Sequence, residues 1–210
     1  MTQKKEIAKI LLNVGAVELS PNEPFTWASG IESPIYCDNR LIMSDPVGRK
    51  QIAQGLADII RAQYPETTVI AGTATAGIPH AAWVADILGL PMVYIRSKAK
   101  EHGRSRQIEG KIDAADKAII IEDLISTGGS SLNAAEALRS EGIAVTGVVS
   151  IFTYELQSAD ETFASAGLTY TSLTDFGALA EAAQESGAIS EESIGSLLEW
   201  HGKLKAGLLK

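Results

Sequence analysis

Residues 118–121 read Ala-Ile-Ile-Ile, and they run directly into Glu122, Asp123, Leu124 and Ile125, then Ser126-Thr127-Gly128-Gly129-Ser130-Ser131. A short β-branched run with no polar alternation can be satisfied as a strand only if both of its faces are buried. That condition is met in a parallel sheet covered by helices on both sides. The loop after it is made of glycine and hydroxyl residues and opens a helix. Free backbone N–H groups, hydroxyls and the helix dipole together suit a phosphate dianion. The two acids stand just before the loop, where carboxylate oxygens can accept hydrogen bonds from sugar hydroxyls. The segment therefore reads as a ribose-5-phosphate site. A plain strand-to-helix turn explains a lone Gly-Gly, but not paired acids followed by so dense a hydroxyl and glycine run.

The rest of the chain supplies the sheet that such a strand requires. Apolar runs at 68–71, 92–95, 144–151 and 168–171 alternate with helical patterns at 78–88, 130–140 and 156–166. This alternation predicts an α/β fold, a mostly parallel twisted sheet flanked by helices with right-handed crossovers. Ligands on such sheets bind beyond the carboxyl ends of the strands. Residues 3–14 form an amphipathic helix carrying Ile7, Ile10, Leu11 and Val14. Pro46, behind a Ser44 or Asp45 cap, opens a long helix with Ile52, Leu56, Ile59 and Ile60 as its buried stripe. Residues 17–43, with Pro21, Pro24, Gly30 and Pro34, read as a small hood of short strands. The stretch 175–205 reads as two amphipathic helices broken near Gly187. With 210 residues and no repeat or long linker, we expect a single domain over 1–210.

Charge sharpens the location of the site. The net charge is −8, which argues against a nucleic-acid partner, yet five of the eighteen Lys and Arg residues fall between Arg96 and Arg106. No apolar residue other than Ala99 interrupts 97–107, so a helix there would have no face to bury. The segment reads as a mobile basic loop. Arg96, Lys100 and His102 could converge on one polyanion. A second small-residue turn, 72–79, follows the 68–71 strand and would admit close approach of backbone amides to a diphosphate. One cysteine, Cys37, allows no internal disulfide and suits a reducing cytoplasm. No apolar run is long enough to span a bilayer, and residues 1–19 lack the pattern of a secretory signal. The P-loop, dinucleotide and nucleophile-elbow motifs are absent, and Cys37, His80, His102 and His201 are too dispersed for a zinc site. Trp27, Trp83 and Trp200 read as core or interface aromatics.

The Ile-Ile-Glu-Asp-Leu-Ile-Ser-Thr-Gly-Gly-Ser segment resembles the PRPP-binding signature of the type I phosphoribosyltransferases. Two further stretches, Phe-Thr-Trp-Ala-Ser-Gly-Ile-Glu-Ser-Pro-Ile-Tyr at 25–36 and Tyr-Ile-Arg-Ser-Lys-Ala-Lys-Glu-His-Gly at 94–103, are similar to the orotate branch of that family. The resemblance implies a Rossmann-like sheet with an N-terminal hood and transfer of a 5-phosphoribosyl group from PRPP to orotate. It implies that Glu122 and Asp123 hold ribose hydroxyls, and that Leu124 and Ile125 belong to the same PRPP segment. Ser126, Thr127, Gly128, Gly129 and Ser130 then hold the 5-phosphate. It places Ser126, Ser29, Gly30 and Tyr36 near orotate. Arg96, Lys100 and His102 reach the diphosphate from loop 97–107, with Lys100 catalytic. A homodimer with shared active sites is implied, as is magnesium held mainly through PRPP rather than by protein ligands.

Four positions depart from the family pattern. Ala28, Ala76 and Ser97 stand where lysines often occur, and no arginine lies near Tyr154 to face the orotate carboxylate. That leaves room for Lys98 to replace one charge and for the hood backbone around 29–33 to carry more of base recognition. The PRPP signature alone would also serve an enzyme for another base, or a PRPP-sensing regulator. A regulator of transcription should add a helix-turn-helix and a basic face, and this acidic chain shows neither.

Overall fold

A computed structural model describes residues 3–27, 30–98 and 107–209. Helix α1 (Gln3–Asn13) leads into the hood, which holds strands β1 (Val17–Leu19), β2 (Phe25–Thr26), β3 (Glu32–Ser33) and β4 (Ile35–Cys37). These form two antiparallel pairs, β1 with β4 and β2 with β3. A 3-10 turn (Asn39–Ser44) then meets α2 (Pro46–Gln63). Asp45 caps α2, its side chain accepting from the Val47 N–H, with proline in the first turn as the sequence predicts.

The body follows as β5 (Val69–Thr73), α3 (Gly77–Leu88), β6 (Met92–Ile95), β7 (Ile108–Glu109) and β8 (Lys117–Ile125), then α4 (Gly129–Ser140), β9 (Ala144–Thr153), α5 (Gln157–Ser165) and β10 (Tyr170–Asp175). Helices α6 (Phe176–Ser186) and α7 (Glu191–Lys205) finish the fold, separated at the left-handed Gly187. The six-stranded sheet runs β10-β9-β8-β5-β6-β7, parallel except for β7 at its edge.

The central strand explains why its sequence lacks alternation. Ile119 and Ile121 enter the core beneath α1, α2, α3 and α6, whereas Ala118 and Ile120 enter a separate core beneath α4 and α5. Successive side chains point to opposite faces, and both faces are apolar. Ile52, Leu56 and Ile60 of α2 are buried as expected, while Ile59 is only partly covered.

Three local readings need correction. Strand β8 does not stop at residue 121 but continues to Ile125, because Glu122, Leu124 and Ile125 keep their pairing to Ser150, Phe152 and Thr153 of β9. The last strand lies at Tyr170–Asp175 rather than 168–171. The span between β6 and β8 contains β7, an antiparallel return of two residues that periodicity cannot detect. Most of the expected loop, including Lys100 and His102, lies outside the described residues, as do Ala28 and Ser29 of the hood.

Candidate active site

Alternate positions on β8 give the paired acids different surroundings, although their carboxyls also meet each other directly. Glu122 is buried and turns towards α4. Thr73 Oγ1 donates to Glu122 Oε1 at 2.7 Å, and Ser130 Oγ donates to Oε2 at 2.7 Å. Ser131 Oγ approaches Oε2 at 3.5 Å, and the Asp123 N–H donates to Oε1 at 3.1 Å. Both carboxylate oxygens are thus held, and Glu122 ties β5, β8 and the start of α4 together. Asp123 instead feels the hood, interacting electrostatically with Cys37 and Arg40. Burial pushes the Asp123 carboxyl up to about 7, the charge of Glu122 and a side-chain hydrogen bond to it add to the rise, and the backbone amides of Asp123 and Leu124 partly offset it. Asn39 Nδ2 fixes the strand from the hood side, donating to the Asp123 carbonyl at 2.8 Å.

The loop beyond is built for an anion. Gly128 begins α4 with φ +82° and no side-chain cap, and a Cβ there would lie 2.9 Å from Phe163. Glycine is therefore required twice over, by backbone conformation and by space. Helices α3 and α5 also start without a side-chain cap, whereas α2, α6 and α7 use Asp45, Asp175 and Ser190. Of the uncapped starts, α3 and α4 follow β5 and β8 beside the acid pair, and apart from the Ile78 N–H, which donates to the Thr75 carbonyl at 3.3 Å, their first-turn amides are donors for a ligand. Ser126 is half-buried, while Thr127, Gly129 and Ser130 are exposed. Ile125 is buried in the core beneath α4 and α5 and Leu124 is half-buried, so these two can serve a ligand chiefly through their backbone.

The 72–79 turn has a packing reason of its own. A Cβ on Gly77 would sit 2.5 Å from the Ile121 carbonyl oxygen, and one on Gly72 would sit 2.9 Å from Ala81 Cβ. A cavity of about 150 Å³ opens between this turn, the end of β6 and the start of α4, bordered by Ala74, Arg96, Ser97 and Ser130. Arg96 reaches Glu109 across the β6–β7 return at 3.5 Å. The Arg96 N–H donates to the Gln107 carbonyl at 2.9 Å and Gln107 Nε2 returns to the Arg96 carbonyl at 3.1 Å. Asn133 Nδ2 holds the Ser97 carbonyl at 3.1 Å. The two feet of the basic loop are thereby fastened beside the cavity.

In the hood, Ser33 Oγ donates to the Ile35 carbonyl at 2.7 Å, bridging Pro34 and giving the Ser-Pro pair a structural role. Gly30 takes φ +89°, and Tyr36 is exposed with its ring 5.7 Å from that of Phe25. Sequence reasoning missed Thr73, Asn39, Asn133 and Gln107 as supports. Thr73 lay inside the turn already singled out; the other three carry no signal short of three-dimensional contact.

A crossover sheet with an acid pair at the end of its central strand, and two uncapped helix starts beyond, has the features of a phosphoribosyltransferase. The Phosphoribosyl transferase domain family matches residues 46–170. The orotate phosphoribosyltransferase of Enterococcus faecalis is 62% identical over 196 residues, 93% of each chain. Among solved structures, Leishmania donovani UMP synthase superposes with a TM-score of 0.83 at 28% identity, covering 95% of this chain and 42% of that one. Aeropyrum pernix orotate phosphoribosyltransferase gives 0.73 at 26% identity, covering 88% and 99%. The chain belongs to the orotate phosphoribosyltransferase family.

Proposed function

We propose that the site at the carboxyl end of the sheet works as follows. The enzyme transfers the 5-phosphoribosyl group of PRPP to orotate, giving orotidine 5′-monophosphate and diphosphate in pyrimidine biosynthesis. The observation that carries the site assignment is the juxtaposition of the acid pair with the uncapped start of α4. The amides of 128–130 and the hydroxyls of Ser126 and Thr127 receive the 5-phosphate. Asp123, and Glu122 once Ser130 or Thr73 releases an oxygen, receive the ribose hydroxyls. The hood, through Ser29, Gly30 and Tyr36, together with Ser126, receives orotate.

The C1–O bond to diphosphate breaks with its electron pair leaving on diphosphate, a ring nitrogen of orotate bonds to C1, and the proton that nitrogen carried passes to the departing diphosphate or to water. Oxocarbenium character develops on the ribose. The protein aligns nitrogen with C1, neutralises the departing charge and excludes water. Arg96, Lys100 and His102 supply that charge, and loop 97–107 excludes the water. Among the described residues no cluster of three or more His, Cys, Asp or Glu gathers. Two adjacent acids beside a polyphosphate suit magnesium, which keeps most of its shell on water and phosphate. Asp123 is the side chain that would contact it, and the ion supplies neutralisation of diphosphate. We further propose a homodimer in which the basic loop serves the neighbouring subunit's site. Among the described residues no helix is long and apolar enough to cross a membrane, and we place the enzyme in the cytoplasm.

PRPP-dependent diphosphate release with orotate, adenine, xanthine and uracil tests the acceptor. Orotate alone should support turnover, and equal rates with another base would refute the assignment. Lys100→Ala should lower kcat by roughly 10²-fold or more, as removal of a transition-state charge partner does, with PRPP binding weakened far less. An unchanged kcat would remove Lys100 from the mechanism.

His80 offers a separate test of the scaffold. It is buried on α3, its Nδ1 has no hydrogen-bond partner among the described residues, and burial lowers it to about 4. The folded protein thus keeps His80 neutral while the unfolded chain protonates it below about 6.5. Its contribution is complete above pH 6.5 and is lost as pH falls towards 4. The loss is about 3 kcal/mol at most. Urea unfolding of His80→Phe should show a shallower acid slope than wild type in that window; parallel slopes would show that His80 does not govern it.

A further inference from the structure

The β2–β3 hairpin of the hood has only two residues per strand, too few to hold itself in place. Its support comes from the far end of the chain. Trp27, at the hairpin, packs its ring 5.4 Å from Tyr154 and 5.9 Å from Trp200, the latter edge-on at 89°. Trp27 Nε1 donates to the Ile35 carbonyl at 3.1 Å, and Trp200 Nε1 donates to the Glu32 carbonyl at 3.0 Å. The two indoles therefore clamp the hairpin, one from within the hood and one from α7. The next residue on α7 makes a different attachment. His201 Nε2 donates to the Tyr154 carbonyl at 2.7 Å, and its ring stacks on Phe176 at 3.9 Å. Tyr154 in turn donates its N–H to the Ile125 carbonyl at 3.1 Å, at the entrance to the phosphate loop.

We infer that Trp200 is a positioning residue for the acceptor base: α7 holds the hood hairpin in place through this side chain, while His201 anchors the helix to the sheet. The inference rests on the reading of the hood as the base-binding element. The phosphate loop holds the donor and the hood holds the acceptor with help from Ser126; of the two, the hood is the one tied to Trp200, whose ring also packs 6.2 Å from Phe176. Losing the clamp costs orientation of the base and leaves the PRPP cradle unchanged.

Steady-state kinetics on Trp200→Ala should show KM for orotate raised roughly tenfold, the order expected when one aromatic contact and one indole hydrogen bond are lost. KM for PRPP should stay within about twofold, and the amides of Trp27 and Gly30 should exchange hydrogen faster. Trp200→Phe keeps a ring and loses the donor, so its orotate KM should fall between the two. Equal changes in both KM values, or none, would overturn the inference. If Trp200→Ala does not fold, Trp200→Phe decides by the same comparison. Tyr36→Ala separates the two readings. A raised orotate KM there, with Trp200→Ala unchanged, would refute the positioning role and keep the hood as base site. No change in either variant would refute the hood as base site as well.

Discussion

Asp123→Asn should melt at a higher temperature than wild type at pH 8 while losing roughly 10²-fold or more of its turnover. The carboxyl is destabilised by burial and by the charge of Glu122, so the folded protein retains its proton up to about pH 7 against an ordinary 3.8. Between those values the folded state binds more protons than the unfolded chain. Stability from this group is therefore greatest at low pH and is lost as pH rises through the folded value. Asparagine keeps the shape and removes the charge, so the gain should be several degrees at pH 8 and should shrink towards zero as pH falls to the ordinary value of 3.8. Scanning calorimetry at both values, with initial rates of diphosphate release, measures both halves. A variant no more stable than wild type at pH 8 would mean that Asp123 is not strained by its neighbours. Retained turnover would mean that the strain serves nothing. Strained, pKa-shifted groups gather at functional sites because a ligand can relieve them, and ribose hydroxyls with magnesium would do so here.

Gly77→Ala should destabilise the protein by about 3 kcal/mol, the upper range for overpacking against a rigid neighbour. The added carbon would meet the Ile121 carbonyl oxygen and Thr73 Oγ1, both at 2.5 Å. The first is backbone and cannot rotate away. The second bonds Glu122, so α3 must lift from β8 or the Thr73–Glu122 bond must break. Gly195→Ala is the control: nothing lies within 4 Å of that position in α7, and alanine should stabilise the helix interior by about 0.5–1 kcal/mol. Urea midpoints of the two variants should move in opposite directions. A Gly77→Ala midpoint equal to wild type would show that the turn tolerates a side chain and is not set by packing.

The parallel sheet and most of its helices were legible because their signals are local. The run at 118–121 has no polar residue to turn outward, and Asp45 with Pro46 marks a helix start by hydrogen-bonding chemistry alone. Boundaries failed where the next chain overrides local polarity. Glu122 and Asp123 look like the end of a strand, yet β9 continues to pair with β8 as far as Ile125. The return strand β7 has two residues and exists because β6 offers it an edge.

The candidate site divides along the same line. Phosphate-binding character resides in contiguous residues, since a glycine that must adopt positive φ, a run of hydroxyls and a helix start are all written within 126–131. From that segment and the hood motif, the sequence by itself determined the fold class, the donor-binding loop and the family resemblance. Only tertiary structure decided that the adjacent acids do different work, because strand alternation turns Glu122 to Thr73 and Ser130 and leaves Asp123 towards the hood. It also decided that the hood hangs from Trp200. The reason is distance along the chain. A hydrogen bond from Trp200 to Glu32 spans 168 positions, and no local preference of either residue encodes the other.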